Sequence, residues 1–240
     1  MKEKERFDLT GKVFVLLAVL AGVLFACKDD EDSPEPLVFS YEFSSGTEGW
    51  TGGFADYPEG NDPFYELLFE HAMLPEPLDE TTGALKISGN NHSDDLFMFA
   101  KRKISGLEPN TAYDVGITIE FASNVPDGTP GVGGSPGESV YIKGGTSQPE
   151  PHPVVDDANW YRMNIDKGNQ SQDGKDMLVL GDFSNDTGKN EYTLKTVSNS
   201  TSFTVTSDEN GELWLIVGTD SAFEATTTIF FNRIAFEFRR

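Results

Sequence analysis

Apolar and polar positions alternate along this chain in short runs, and no long stretch shows helical spacing. Gly, Pro, Asn and Asp bound the runs, which is the punctuation of a sandwich or barrel of antiparallel strands. The strictest alternation lies in residues 112–121, where Tyr113, Val115, Ile117, Ile119 and Phe121 fall on one face. That period of two predicts a half-buried strand. Residues 37–43, 84–88 and 96–104 predict strands before it, and residues 139–143, 161–165, 177–180, 192–197 and 202–206 predict shorter ones after it. Residues 213–217 are apolar on both faces, so they are expected in a central strand covered on both sides. Asn210-Gly211 lies between two of these runs and reads as a hairpin turn. A long final strand is expected over 227–238, with Phe230, Asn232, Ile234, Phe236 and Phe238 on one side and Asn232 as the interruption. Residues 125–139 are too rich in Gly and Pro for regular structure and predict a long surface loop. Trp50 and Trp214 are expected in the core, because large aromatics are mostly buried.

The amino terminus departs from this pattern. Residues 13–26 are uncharged, preceded by Lys2, Lys4, Arg6 and Lys12, and they end at Ala26-Cys27. The run is shorter than the ~20 apolar residues that span a bilayer, and it fits the apolar region of a signal peptide. Leu24-Phe25-Ala26-Cys27 resembles the lipobox of a bacterial lipoprotein precursor. The resemblance implies cleavage before Cys27, a diacylglyceryl thioether on its sulfur and acylation of the new amine. More than one acyl chain holds a protein on a membrane where a single chain would not. Lys28-Asp29-Asp30-Glu31-Asp32 then reads either as a solvated spacer or as a signal resembling those that send lipoproteins of Gram-negative bacteria to the outer face of the outer membrane. Residues 27–36 form an acidic, Pro-containing tether. Cys27 is the only cysteine, so the domain beyond it holds no disulfide.

Charge narrows the partners. The formal net charge is −22, and residues 1–26 carry four basic and three acidic side chains, so the cleaved chain stands near −23. Such a chain repels phosphate backbones and anionic lipid surfaces. Nucleic acid is excluded as a natural partner, membrane contact must come through the lipid anchor, and a neutral or cationic ligand fits best.

Three segments carry a second resemblance. Residues 39–50 open with an apolar–Glu–Phe strand followed by Gly49-Trp50; residues 106–121 form a turn and a strand; residues 228–238 close the chain. Together they resemble carbohydrate-binding modules with the galactose-binding-domain-like jelly roll. That implies an all-β, antiparallel jelly-roll β-sandwich over residues 37–240, with first and last strands paired or close. Those modules usually carry Asp where this chain has Asn232.

Sugars are bound by aromatic faces flanked by amides and carboxylates. Tyr57 with Trp160, Tyr161, Arg162, Asn164, Asp166, Asn169 and Gln170 supply that chemistry in loop-like contexts and form the expected ligand site. Calcium takes about six to eight oxygen ligands; Asp94, Asp95, Asp182 and Asp186 are the candidate donors for a structural Ca2+, with Asp166 and Glu138 as further acids. His71, His92 and His152 show no zinc spacing. Gly133-Gly134-Ser135-Pro136-Gly137 matches G-x-S-x-G, but Pro136 has no N–H to give an oxyanion, and no helix pattern follows. The expectation is therefore a surface-anchored binding protein, not an enzyme, whose ligand is a glycan. Two alternatives remain at this level: an adhesion lipoprotein contacting proteins, which predicts a broad apolar patch, and a hydrolase on the same fold, which predicts two close, shielded carboxylates or an open metal.

Overall fold

A computed structural model describes residues 34–240. The signal segment 1–26, the lipobox with Cys27 and most of the tether lie outside the described residues. The strands are β1 (Leu37–Glu42), β2 (Thr51–Ala55), β3 (Tyr57–Pro58), β4 (Leu68–Met73), β5 (Gly83–Asn90), β6 (Leu96–Ile104), β7 (Ala112–Ser123), β8 (Val140–Ser147), β9 (Pro153–Val155), β10 (Trp160–Met163), β11 (Met177–Asp182), β12 (Thr193–Ser198), β13 (Thr204–Thr206), β14 (Leu213–Ser221) and β15 (Thr226–Arg239). One helical turn, α1 (Asp62–Tyr65), lies between β3 and β4.

The first sheet has seven strands in the order β12-β7-β15-β5-β4, with β1 also on β15 and β13 also on β7. The second has five, in the order β11-β8-β14-β6-β2. Every pairing is antiparallel. The chain steps from sheet to sheet through β5, β6, β7 and β8, and again through β14 and β15, which is jelly-roll winding. First and last strands pair, Tyr41 opposite Ile234.

The core lies between the two sheets. The odd residues of β7 enter it as their alternation requires, beside Leu85 and Ile87 of β5, Leu213, Leu215 and Val217 of β14, and Trp50. Each such side chain removed from water contributes roughly 1.5–3 kcal/mol. The strand β14 is central in its sheet, between β8 and β6, and its other face packs Ile216 into a second apolar cluster with Phe97, Phe99, Met177 and Ile165. Trp214 differs from expectation: it shares the parity of Ile216, sits half-buried outside the core, and carries the Lys101 ammonium 5.3 Å above its ring.

Two further expectations are corrected. The register of β15 against β7 shifts between Phe231 and Arg233, so Asn232 is the extra residue of a β-bulge. A bulge resets the alternation. Ile229 and Phe231 therefore share the core with Ile234, Phe236 and Phe238, while Phe230 faces outward with Leu74, Ala84 and Ala122. Asn232 instead donates to Glu120 Oε1 at 2.6 Å. The turn at Asn210-Gly211 exists, closed by Gly211 N to Asp208 O at 3.1 Å, but it joins β13 of one sheet to β14 of the other. It is a corner between layers, and Gly211 serves it with φ +70° where a Cβ would meet Leu107 O at 2.0 Å.

A third small sheet, β3-β10-β9, has three strands. Its strands β9 and β10 belong to the segment 148–176, which pairs with β3 and lies over the outer face of the five-stranded sheet through Met163, Ile165 and Lys167. This covering segment positions the candidate site.

Candidate functional site

Three stretches converge at one end of the sandwich: residues 56–66, 91–96 and 156–172. Tyr161 pairs with Tyr57 across β10 and β3. Asp56 N donates to Tyr161 O at 2.7 Å, and Ser93 Oγ donates to Asp56 O at 3.0 Å. Gln170 Nε2 donates to Asp94 O at 2.7 Å. Asp56, Glu66, Asp94, Asn159 and Gln170 all hold positive φ here, between 47° and 63°. Left-handed backbone at non-glycine residues costs energy and collects where a fold must hold a particular surface.

A ladder of rings crosses this end. Tyr161 lies 5.0 Å from Tyr57, Tyr57 lies 5.1 Å from Tyr65, and Tyr65 meets the edge of His92 at 5.4 Å. Phe64 stacks on His92 with centroids 4.0 Å apart and planes 21° apart. Tyr57 and Tyr65 are buried, and the Tyr57 hydroxyl donates to Asp62 Oδ1 at 3.0 Å. Burial, reinforced by that carboxylate, pushes the Tyr57 phenol far above its ordinary value. Phe64, at the other end of the ladder, is 60% exposed.

Beside the ladder sits Arg162. Its guanidinium lies 4.9 Å from the Trp160 ring centroid and reaches Asp56 Oδ1 at 2.8 Å, Asp95 Oδ2 at 3.4 Å and Asp156 Oδ2 at 3.5 Å. Burial opposes its charge, but the carboxylates around it outweigh that and raise its pKa. At Asp95 the balance goes against the charged form instead. Burial first, then the Asp56 and Asp220 charges, push its carboxyl up from 3.8 to about 6 despite Lys167 and Arg162. Beneath lies a fully enclosed layer: Lys167 Nζ bridges Asp56 Oδ2 at 2.9 Å and Asp220 Oδ2 at 2.8 Å, and Lys143 reaches the same Asp220 oxygen at 3.4 Å.

The expected ligand residues divide. Tyr57, Trp160, Tyr161, Arg162 and Gln170 come together at this end, with exposed Asn169 next to Gln170. Asn164 turns away, donating to Glu150 O at 2.9 Å and accepting from His152 N at 2.8 Å. Asp166 accepts from Lys175 N at 3.0 Å and Gly168 N at 3.1 Å, which holds its carboxyl below the ordinary range and makes it the clasp of a loop. Phe64, His92 and Asp156 were not anticipated. The "NDPFY" stretch, with Pro63 at the start of a helical turn and an exposed aromatic after it, is the signal that could have found Phe64.

Three of the four acids considered for calcium take cationic partners. Asp182 Oδ1 and Asp186 Oδ1 hold the Lys195 ammonium at 2.9 and 3.0 Å, and Asp95 faces Arg162. Among the described residues no three acidic, histidine or cysteine side chains are grouped to hold a metal. Ser135 hydrogen-bonds Glu138 within the Gly-rich loop and has no histidine partner. Asp56 and Asp95 do lie close, but a guanidinium stands between them where a hydrolase would place substrate.

The fold defines an all-β, antiparallel jelly-roll sandwich with an aromatic and ionic rim at one end. No family model matches the chain, and no curated protein matches it. Among solved structures it is similar to the CBM22-1 xylan-binding domain from Paenibacillus barcinonensis Xyn10C, at 9% identity over 87% of this chain and 98% of that one, with a TM-score of 0.39. It is similar to the mannan-recognising carbohydrate-binding module TmCBM27, at 13% identity over 86% and 100%, with a TM-score of 0.41. A putative sugar binding protein from Bacteroides thetaiotaomicron aligns at 8% identity over 82% and 92%, also with a TM-score of 0.41.

Proposed function

We propose that this chain is a non-catalytic, lipid-anchored binding protein. Cys27 carries the lipid, the acidic tether spaces the sandwich from the outer membrane, and the rim around Phe64, His92, Trp160 and Arg162 binds a neutral glycan. The observation that carries this reading is the exposed Phe64 ring stacked on His92 at 4.0 Å, beside amide and carboxylate groups. An apolar ring face fits the C–H face of a pyranose, and Gln170, Asp94 and the Arg162 edge offer partners for its hydroxyls. The local charge favours a neutral sugar: Arg162 is already matched by Asp56, Asp95 and Asp156, so no free cation waits for an acidic one.

Isothermal titration of the full chain against a panel of neutral oligosaccharides tests the binding, with and without calcium. Saturable heat with one oligosaccharide class, weakened about tenfold or more in Phe64→Ala, is the expected result. No heat with any member would overturn it. Mass spectrometry of the chain produced in a lipoprotein-processing host tests the anchor: an amino-terminal Cys27 with a diacylglyceryl thioether and an acylated amine is expected, and an uncleaved terminus would remove it.

A further inference from the structure

The enclosed layer beneath Arg162 holds a pair of charges that the binding reading does not use. Lys143 on β8 and Asp220 on β14 are both 0% exposed. They lie on adjacent antiparallel strands, Lys143 opposite Gly218 and Asp220 two residues further along. The Lys143 nitrogen has three oxygen neighbours: Lys167 O at 2.6 Å, Gln172 O at 2.9 Å and Asp220 Oδ2 at 3.4 Å. A neutral amine donates only two N–H bonds. With both given to the carbonyls, its lone pair is left on the side of the Asp220 carboxyl.

Asp220 is equally asymmetric. Its Oδ2 accepts from Lys167 Nζ at 2.8 Å and from Gln170 N at 2.9 Å, while its buried Oδ1 has no hydrogen-bond partner. Lys167 is itself held by Asp56 at 2.9 Å. Burial draws the Lys143 ammonium below the ordinary lysine range against the pull of Asp220. Burial acts on Lys167 too, but Asp220 and Asp56 outweigh it and raise its value. The two lysines are thus differentiated, one toward the free amine and one toward the lasting cation.

We propose that Lys143 and Asp220 condense into an intramolecular amide cross-link between β8 and β14, with Lys167 and Asp56 as the groups that position and polarise the carboxyl. A proton passes from the Lys143 ammonium to Asp220 Oδ2. The freed nitrogen lone pair attacks Cγ, already drained of electron density by the donors on Oδ2. The N–Cγ bond forms, the Cγ–Oδ2 bond breaks, and Oδ2 takes a second nitrogen proton and departs as water. Oδ1 becomes the amide carbonyl oxygen. Ammonium plus carboxylate give amide plus water, so no oxidant, reductant or other reactant is required.

Physical chemistry favours the product. Two fully buried charges are expensive to keep out of water, and their attraction repays that only in part. Condensation removes both and leaves one neutral amide. It also gives a domain without cysteine pairs a covalent brace between distant stretches of sequence.

Peptide mapping by mass spectrometry of the purified full chain decides the matter. The peptide carrying Lys143 should appear joined to the one carrying Asp220, their combined mass lower by one water molecule. Lys143→Arg should abolish that species and return the Asp220 peptide at full mass. Recovery of both peptides unlinked from wild-type protein would overturn the proposal, and so would a link that survives Lys143→Arg or that joins Lys167 instead. The readout is a mass in wild-type protein, so it stands even where a variant folds poorly.

Discussion

Arg162 Nη1 lies 2.8 Å from Asp56 Oδ1, and this contact fastens the covering segment to the end of β2. Asp56 is almost wholly enclosed, whereas the guanidinium is 40% exposed and also stacks on Trp160. One side chain therefore joins the buried ionic layer to the surface rim.

Arg162→Ala should lower stability by about 1–2 kcal/mol in chemical denaturation. A charge-assisted hydrogen bond is worth roughly 1.5–3 kcal/mol, and the exposed side of the guanidinium discounts it. Asp56 keeps Lys167, which limits the damage. Arg162→Lys should recover less than half of the loss, because an ammonium can neither reach Asp56, Asp95 and Asp156 together nor stack on Trp160. Full recovery with lysine would show that charge alone matters at this position.

Asp95 makes stability depend on pH in a direction opposite to most carboxylates. Its folded value of about 6 stands above the ordinary 3.8, so the folded state binds the proton more tightly than the unfolded state. Stability from this group is then present at low pH and falls as pH rises from about 4 to about 6. Above that window the buried carboxylate is a standing cost. Asp95→Asn should raise stability at neutral pH by about 1–2 kcal/mol, since each tenfold difference in proton affinity between the folded and unfolded states is worth at most ~1.4 kcal/mol. The gain should vanish below about pH 4. Denaturation midpoints at acid and neutral pH measure it, and a gain equal at both would reject the assignment.

How much of this was legible in the sequence depended on where each strand's apolar groups come from. The strand β7 supplies its own, in strict alternation, so its core face could be read directly. The last strand was legible in extent but not in parity, because one inserted residue at Asn232 moves every side chain before it to the other face. The strand β2 was not legible at all. Its Thr51-Gly52-Gly53 start reads as a loop, because neighbours provide the apolar cover: Phe69 lies over Gly52 and Phe99 over Gly53. The site was half legible for a similar reason. Trp160 and Arg162 stand out by residue type, whereas Phe64, His92, Asp95 and Asp220 are brought together by pairings far apart in sequence.

The glycines of β2 make this testable. A Cβ on Gly53 would stand 2.3 Å from the Phe99 ring, and one on Gly52 at the same distance from Phe69. Phe99 is buried in the cluster with Phe97 and Ile216 and has little room to retreat. Gly53→Ala should destabilise by about 1–3 kcal/mol, the usual cost of overpacking. Gly116→Ala, at an ordinary φ and with nothing closer than 3.7 Å to the added Cβ, should cost little. Thermal midpoints of the two variants should therefore separate, with Gly53→Ala the lower; the reverse order would mean that Phe99 can swing away.

Phe64 separates binding from folding. Its ring is 60% exposed and contacts the imidazole of His92 and the edge of Tyr65. Phe64→Ala removes little buried area, so stability should change by no more than ~0.5 kcal/mol, as for most surface substitutions. If the ring is the platform for a pyranose face, affinity for the bound oligosaccharide should fall about tenfold or more, ~1.4 kcal/mol. Tyr57→Phe makes the converse control. It deletes the buried hydroxyl that donates to Asp62 and leaves the ring ladder intact, so it should cost about 1 kcal/mol of stability while sparing the platform. Titration and denaturation on both variants cross the two readouts. Undiminished affinity in Phe64→Ala would move the sugar-binding surface away from this rim, whatever the fold retains.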